Sequence, residues 1–262
     1  MGAFLFWVNK VNDSQIKGLF ENDSMWSHLE ELRKRLLISV LVVAVFSVIA
    51  YFFSDQILNF ILKPLSNLSH KAYFISPYDA FVVKLQVAFW AALFLAAPLL
   101  LTQIWLFVAP GLYHREKKLF LLLALSSVVL FVAGLSAAFF IVIPATMEFF
   151  LSFGTSTLEP LISIEKYFSF IVWMGLSFSL AFQTPIFLVG LVKLGIVELE
   201  TLKSVRRSVV VVVFIISAVI TPSPDPFSQC LLALPLWLLY EASLLIASFP
   251  RRAKPIFRKV DN

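Results

Sequence analysis

The chain of 262 residues is 60% hydrophobic and 14% charged, contains 28 Phe, and carries a net charge of +5. A soluble domain of this length needs a charged surface, and this composition does not supply one, so a soluble globular protein is excluded. In a membrane protein, the excess of bases is first a signal of topology and only then of nucleic-acid binding.

The first predicted element is an amphipathic helix that begins at Ser27. Ser27 and Glu30, three residues later, form a capping-box pattern. We expect this helix to lie in the membrane interface and to run directly into the first membrane span. Its apolar residues recur at helical spacing, with charged residues between them: Trp26, Leu29, Leu32 and Leu36.

Six apolar segments are predicted to cross the membrane, for which about 20 apolar residues are needed in a bilayer core of about 30 Å. They are residues 36–53, 85–108, 119–143, 167–192, 208–220 and 230–249. Pro98 predicts a kink in the second span. The last two spans are predicted to be short, because Arg207 and Pro222 enclose the fifth, and Pro235 and Glu241 interrupt the sixth. For the sixth, a boundary placed too far inside the helix is an equal alternative.

Polar stretches connect several of these spans. The first runs from Ser54 to Lys84 and carries turn signals at Pro64 and Pro77. The second runs from Pro144 to Lys166, and a basic connection from Lys193 to Arg207 precedes the fifth span. We expect these stretches to lie outside the hydrocarbon core.

The distribution of bases predicts that both termini face the cytoplasm. Six spans place the termini on one side, and that side then holds 17 of the 21 Lys and Arg residues. Five lie in the N-terminal arm, three between the second and third spans, four in the basic connection and five in the C-terminal tail. The other side holds four: Lys63, Lys71, Lys84 and Lys166. This asymmetry follows the positive-inside rule.

The predicted loop after the second span has an unusual composition. It contains the pair Pro110 and Gly111, and a single acid, Glu116, next to Arg115 and two lysines. The charge distribution places it in the cytoplasm, on the same side as Glu31 of the N-terminal helix. From its sequence position alone, the loop could also be a simple hairpin turn.

Three motifs, in this order among six apolar segments, resemble the TatC family, the multispanning receptor subunit of the twin-arginine protein translocase. They are His28-Leu-Glu-Glu-Leu-Arg-Lys-Arg35, Phe107-Val-Ala-Pro-Gly-Leu-Tyr-His-Arg-Glu-Lys-Lys118 and Thr221-Pro-Ser-Pro-Asp-Pro-Phe-Ser-Gln229. The resemblance covers about Trp26 to Phe249. It implies an all-α integral membrane protein, with six transmembrane helices in a cupped, concave bundle. Residues 26–250 would form this domain, residues 1–25 an N-terminal extension, and residues 251–262 a basic cytoplasmic tail.

The resemblance also implies a function. Family members bind the twin-arginine signal peptides of folded precursor proteins on the cytoplasmic face. They organise TatA- and TatB-type single-span subunits for export driven by the protonmotive force. We therefore expect a multi-pass protein of the bacterial cytoplasmic (inner) membrane, or of an organellar equivalent, that self-associates in a multi-subunit complex. No cofactor, metal ion or nucleic-acid partner is expected.

Glu116 and Glu31 match the signal-recognising acids of the family. Two guanidinium groups require carboxylates, and an Arg–carboxylate pair can be bidentate. A few acids within a basic field are also selective, because the surrounding bases repel generic cations. From spacing alone, each Glu could simply pair with a neighbouring base, as Glu31 with Arg35.

Further positions match the family around the same end of the molecule or in the outer connections. For the aromatic and basic members, anchoring in the membrane interface is an alternative. The signal-peptide set includes Phe107, Arg33 and Tyr113, and the loop-shaping set includes Pro110, Gly111 and Lys84.

Polar residues inside the fourth span require a partner, since an unpaired polar group is costly there. Gln183 stands where the family often carries Glu, and with Thr184 it could form a hydrogen-bonding site for a partner's transmembrane helix. The alternative is a hydrogen bond between helices of this chain. In the outer turn, Asp225 and Pro222 match the family, although turn chemistry alone also explains Asp225.

Two other functional classes fit the sequence poorly. A small-molecule secondary transporter tends to show internal repeats and broken helices around a midplane site, and the two halves of this chain show no repeat. An enzyme is not expected, because His28, His70 and His114 lack metal-ligand spacing. Motifs of hydrolases, metalloproteases and nucleotide-binding proteins are also absent from the sequence.

Overall fold

The computed structural model describes residues 29–108, 117–155, 160–221 and 225–248, together with Trp26. The side chains of Val108, Ile220 and residues 117–120 lie outside this description. In chain order the elements are α1 (Leu29–Phe52), α2 (Ser54–Ile61), α3 (Lys63–Asn67), β1 (Ala72–Tyr73), α4 (Asp79–Val108), α5 (Lys117–Ala137), the π-helix π1 (Ala138–Val142), α6 (Ile143–Leu151), β2 (Ile162–Ser163), α7 (Ile164–Ala181), α8 (Thr184–Lys193), α9 (Leu199–Ser204), α10 (Arg206–Ile220) and α11 (Pro226–Ser248).

Within these ranges, five helical segments are long and apolar enough to cross a bilayer: Leu29–Phe52, Asp79–Phe107, Leu121–Leu151, Ile164–Lys193 and Pro226–Ser248. The predicted fifth span, α10, has 15 residues, or about 22 Å of helix, so the prediction that it is short is confirmed. The prediction that the last span is short is wrong. α11 has 23 residues and continues through Pro235, which gives it about 35 Å.

The N-terminal helix and the first span form one continuous helix, as the sequence predicts. α1 extends without a break from Leu29 to Phe52, whereas Ser27, the predicted cap, lies outside the described residues. Most of its apolar side chains are exposed at its surface, including Leu41 and Val48, and Ala50 near its end is buried. In a bilayer, such a surface contacts lipid or another transmembrane helix.

The stretch from Ser54 to Lys84 is largely helical and is not the turn-rich connection that the sequence predicts. Pro64 is in the first turn of α3, where its missing N–H removes no helical hydrogen bond. α4 begins at Asp79, six residues before the predicted start of the span. The buried Asp79 carboxylate accepts hydrogen bonds from the backbone N–H groups of Ile75 (3.0 Å) and Ser76 (2.8 Å) and so fixes the entry to the helix.

The third span also extends beyond its predicted end. α5, π1 and α6 form a continuous helical path to Leu151, although the sequence predicts a polar connection from Pro144. A proline inside a helix cannot donate a hydrogen bond, and its ring crowds the carbonyl group four residues earlier, here that of Phe140. The wide π turn ends at Val142, two residues before Pro144, and gives room for the ring, so the helix continues.

α7 lies at the centre of the bundle and is interrupted where the sequence predicts a continuous span. The helix stops at Ala181, and α8 resumes at Thr184 with Pro185 in its first turn. Pro185 cannot donate a hydrogen bond to the carbonyl of Ala181, which explains the break. Three large side chains of α7 are at most 2% exposed: Phe168, Met174 and Phe178.

Two further contacts fix the elements relative to one another. α5 approaches α7 closely at Gly134, because a Cβ atom there would lie 2.7 Å from the carbonyl oxygen of Phe178. β1, which precedes α4, pairs in parallel with β2, which follows α6, and Ala72 lies opposite Ile162. This short pairing joins the two long connections that the sequence predicts on one side of the membrane.

Candidate functional site

The residues predicted to bind a signal peptide or to shape its site are partly within the described ranges. Outside them lie Glu116, Tyr113, Pro110, Gly111 and Pro222. Within them lie Glu31, Arg33, Phe107, Lys84, Gln183, Thr184 and Asp225.

Glu31 lies in the first turn of the described part of α1, and Arg35 joins it to α4. Arg35 Nε donates to Glu31 Oε1 at 3.0 Å, and Nη2 donates to the same oxygen. Nη1 of Arg35 donates to Gln103 Oε1 in α4 at 3.3 Å. The pairing of Glu31 with Arg35, which spacing alone suggested, is therefore present, and it also connects two helices.

The connection places Glu31 at the end of α4 that leads to the predicted loop. α1 and α4 run in opposite directions, because Arg35 contacts Gln103 while Asp55, just after α1, contacts Lys84 near the start of α4. Glu31 lies four residues before Arg35 and Phe107 lies four residues after Gln103, each about 6 Å along its helix. Glu31 and Phe107 are therefore at about the same level.

The Glu31 carboxylate retains hydrogen-bonding capacity. Both bonds from Arg35 end on Oε1, and among the described residues Oε2 accepts no hydrogen bond. The side chains of Arg35 and Glu31 are 22% and 31% exposed, so the pair is partly shielded from water. An acceptor oxygen is thus held in a fixed orientation at the surface.

Two other predicted residues do not join Glu31. Arg33 is exposed and lies two residues from Glu31, so it points from a different face of α1. Lys84 lies near the opposite end of α4, 23 residues before Phe107 or about 35 Å along the helix. Its Nζ is 2.7 Å from Asp55 Oδ1, so Lys84 joins α2 to α4.

Gln183 is buried and forms hydrogen bonds within the chain. Its Nε2 donates to the backbone carbonyl of Ser127 at 3.0 Å, and its Oε1 accepts a hydrogen bond from the Ser127 hydroxyl. Its side chain connects the break after α7 to α5, and the residue is 4% exposed. This is the alternative in which Gln183 joins helices of the same chain; a contact with a partner helix stays a prediction.

Thr184, the neighbour of Gln183, lines an open groove of about 740 Å³ between α7, α8, α10 and α11. Ser169, Ser177 and Thr221 also line it, and the sequence analysis did not single out these hydroxyl groups. The hydroxyls of Ser177 and Thr221 donate to carbonyl groups one turn earlier in the chain, which makes them compatible with an apolar surround. The groove is therefore mainly apolar, with a few hydroxyls along its wall.

The last helix is fixed at both ends. At its start, Asp225 Oδ1 accepts a hydrogen bond from the backbone N–H of Ser228 at 2.7 Å, which is an N-cap contact. Near its other end, Glu241, for which the sequence suggested no role, lies 3.0 Å from Nη2 of Arg206 at the start of α10. Capping therefore gives Asp225 a structural role, as its position in a turn also suggested.

A family model described as "Sec-independent protein translocase protein (TatC)" matches residues 27–235. The chain belongs to the TatC family. The matched range begins just before α1 and ends within α11, so it includes Glu31, Gln103 and the groove-lining part of α7.

Individual relatives agree with this assignment. The Sec-independent protein translocase protein TatC of Carboxydothermus hydrogenoformans is 42% identical over 226 residues, which are 86% of this chain and 93% of the relative. That of Aquifex aeolicus is 35% identical over 236 residues, which are 88% and 98% of the two chains. A crystal structure of the twin arginine translocase receptor TatC in DDM superposes with a TM-score of 0.75 at 34% identity, and covers 85% of this chain and 100% of that chain.

The chain is therefore a component of the Sec-independent (Tat) protein translocase and a multi-pass membrane protein. The resemblance to the TatC family is confirmed. The expectation that the chain is not an enzyme is also confirmed, since members of this family are transport subunits. Membership in a protein translocase family also excludes the small-molecule transporter. It implies a complex with other Tat subunits.

Proposed function

We propose that the chain is the receptor subunit of the translocase and binds twin-arginine signal peptides at the adjoining ends of α1 and α4. The observation that supports this most directly is the connection from Glu31 through Arg35 to Gln103. It holds a carboxylate at the level of Phe107, beside the predicted loop that carries Glu116. The coarser function, a Tat translocase subunit, follows from the family.

The chemistry of the site suits two neighbouring arginines. Each guanidinium group presents a planar fork of donors that a carboxylate can accept bidentately. In this proposal Glu116 accepts one arginine, and Glu31 accepts the other through Oε2. Arg35 holds Glu31 in place before the peptide arrives, which reduces the ordering cost of binding. The exposed Arg33 and the bases around Glu116 repel cations that do not offer two such forks.

The groove between α7, α8, α10 and α11 is proposed to receive apolar helices. The apolar segment of the signal peptide inserts along it, and TatA- or TatB-type single-span subunits are recruited to the same region. Helices associate in lipid through close packing and hydrogen bonds rather than through the hydrophobic effect. Thr184 and the other hydroxyls of the groove provide such partners. Binding then shifts an assembly equilibrium, and the protonmotive force drives transport.

The proposed topology has six spans, with both termini in the cytoplasm of a bacterium or in the equivalent compartment of an organelle. α10 is the short sixth member beside the five long helical segments. The charge asymmetry supports the orientation, because it places the Glu31 end of α1 on the basic side. Residues 26–250 would form a single cupped membrane domain, flanked by an extension at 1–25 and a basic tail at 251–262.

A cargo-export assay in a strain that lacks its own TatC subunit tests the site. We expect Glu116→Ala to abolish export of a twin-arginine precursor and Glu31→Gln to reduce it, because each removes a carboxylate that accepts a guanidinium group. Glu200→Gln is the matched control, since Glu200 is an exposed acid in the first turn of α9. Export through the Sec pathway and the level of the membrane protein should stay normal in all three variants.

Direct binding separates recognition from later steps of transport. A signal peptide with two arginines should crosslink to the unmodified protein, and its twin-lysine version should do so more weakly, because lysine lacks the planar fork. Normal twin-arginine export and crosslinking by both Glu116→Ala and Glu31→Gln would refute the assignment of the site.

A further inference from the structure

α7 separates the groove described above from a second cavity on its other side. Ser169, Trp173 and Ser177 face the first groove, whereas Phe168, Ile171 and Gly175 line the second. The second cavity has a volume of about 330 Å³ and lies between α2, α4, the α5–π1 segment and α7. Its volume falls within the range of about 300–1,000 Å³ that is typical of small-molecule sites. Neither the translocase function nor the predicted signal-peptide site makes use of it.

The lining of this cavity is almost entirely aliphatic and aromatic. Phe60 and Phe139 form part of its wall and stack with their ring centroids 4.7 Å apart. Ser136 is the one lining residue with a polar side chain apart from the indole N–H of Trp90. Such a wall binds hydrocarbon and offers few hydrogen bonds to a polar ligand.

The cavity opens on the outer surface of the helices. Leu95 and Phe140 line it and are 60% and 66% exposed, so the opening lies on a surface that meets lipid in a membrane protein. The hydrocarbon core of a bilayer offers no water to such an opening. The groups that surround the opening are therefore the acyl chains of the bilayer lipids.

The direction of the cavity matches that of an acyl chain. It follows α4 from Val87 to Leu95, a distance of about 12 Å along the helix. Its upper end, the end nearer the start of α4, is at α2. This short helix exposes Asp55 and contributes Phe60 to the wall. An amphipathic helix of this kind lies at the level of the lipid headgroups. The cavity therefore runs from the interface toward the middle of the bilayer.

A cation is present at the upper end. Lys63 Nζ lies 5.4 Å from the centroid of the Phe60 ring. Among the described residues Lys63 forms no ion pair, whereas Lys84 is paired with Asp55. Lys63 is exposed and so can reach a phosphate group while its stem covers the aromatic wall.

We propose that this cavity is a binding site for an anionic phospholipid, with one acyl chain between α4 and α7 and the phosphate group at Lys63. Basic residues next to gaps between transmembrane helices recognise acidic headgroups in this way. The site is independent of signal-peptide binding and lies on the opposite face of α7 from the partner groove. A bound chain fills the space between α2, α4 and π1.

Lipid binding by the purified full-length protein, measured by native mass spectrometry, tests the proposal. Phosphatidylglycerol and phosphatidylcholine with identical acyl chains are titrated separately. We expect one phosphatidylglycerol to bind about fivefold more tightly than phosphatidylcholine, since a base near an anionic headgroup contributes about 1 kcal/mol. Lys63→Gln should remove this preference. Lys71→Gln is the matched control, because Lys71 is exposed in the same connection but, unlike Lys63, does not lie over a ring of the cavity wall.

A second variant tests the acyl-chain part of the site. Ala91 lines the cavity, and Ala91→Phe should fill it and weaken the binding of both lipids at that site. Leu121→Phe, at a side chain that is 69% exposed, controls for added aromatic surface. Inorganic phosphate should not compete with either lipid. Equal binding of the two lipids, equal effects of Lys63→Gln and Lys71→Gln, or unchanged binding by Ala91→Phe would each overturn the proposal.

Discussion

The hydrogen bonds between Gln183 and Ser127 lead to a quantitative prediction. Both residues are buried, at 4% and 2% exposure, and the Gln183 carboxamide both accepts from the Ser127 hydroxyl and donates to its carbonyl. Gln183→Leu approximately preserves volume and removes both bonds. Hydrogen bonds between membrane helices contribute about 0.6 kcal/mol on average and up to about 1.7. We therefore expect Gln183→Leu to lower the free energy of unfolding by about 1–3 kcal/mol.

A double-mutant cycle isolates the side-chain pair. Ser127→Ala removes the hydroxyl but leaves the backbone carbonyl to accept from Gln183. The free energy of unfolding of the two single variants and the double variant is measured in mixed micelles, with tryptophan fluorescence as the signal. We expect a coupling energy of about 1 kcal/mol, because each single change already breaks the same bond. A coupling energy below about 0.3 kcal/mol would show that the bond does not stabilise the fold.

The same variants distinguish an internal role of Gln183 from a role in partner binding. If the contacts to Ser127 are its main function, Gln183→Leu lowers stability and leaves crosslinking of a partner helix to the groove unchanged. Thr184→Val should show the opposite pattern, since Thr184 lines the groove and is partly exposed. Loss of partner crosslinking by Gln183→Leu at unchanged stability would contradict the internal role.

Two further predictions concern single contacts. Gly134→Ala places a Cβ atom 2.7 Å from the carbonyl oxygen of Phe178 and should lower the free energy of unfolding by about 1–3 kcal/mol. Gly190→Ala is the control, because its Cβ would meet only an ordinary contact at 3.7 Å, and it should be neutral or slightly stabilising. Equal losses of stability in the two variants would refute the close approach of α5 to α7. Asp225→Ala removes the N-cap contact to Ser228 and should cost about 1 kcal/mol, whereas Asp225→Asn should retain most of the stability because Asn also caps; thermal unfolding of both variants in detergent decides this.

Hydrophobic segments could be predicted from the sequence because a bilayer demands long apolar helices, but their ends could not. α11 begins at Pro226, four residues before its predicted start, because Asp225 caps its first turn. α4 begins at Asp79 for a comparable reason, since the carboxylate organises the preceding backbone. Polar residues that cap or begin a helix lower its hydropathy without ending it. Analysis by hydropathy therefore shortens such helices.

The positions of the candidate site came from the family resemblance, and their contacts required the structure. The sequence offers Arg35 as a helical neighbour of Glu31, but Gln103 is 68 residues from Arg35, and no local pattern joins them. In the same way, the need of Gln183 for a polar partner follows from its place in an apolar segment, but Ser127, 56 residues away, does not. Local periodicity predicts faces of helices and does not identify which faces meet.

The π-helix π1 also fixes the rotational register of the helix that follows it. Ala138 and Ile143 are both buried, at 0% and 1% exposure, although they lie five residues apart. In an α-helix that separation turns the side chain by about 140°, which would point Ile143 away from the core. The wide turn adds about one residue to the helical circuit and returns Ile143 to the buried side. The number of residues in the turn thus sets the orientation of α6. A single-residue deletion within 139–141 would rotate α6 by about 100° about its own axis, relative to α5. A substitution there keeps the number of residues and so does not produce this rotation.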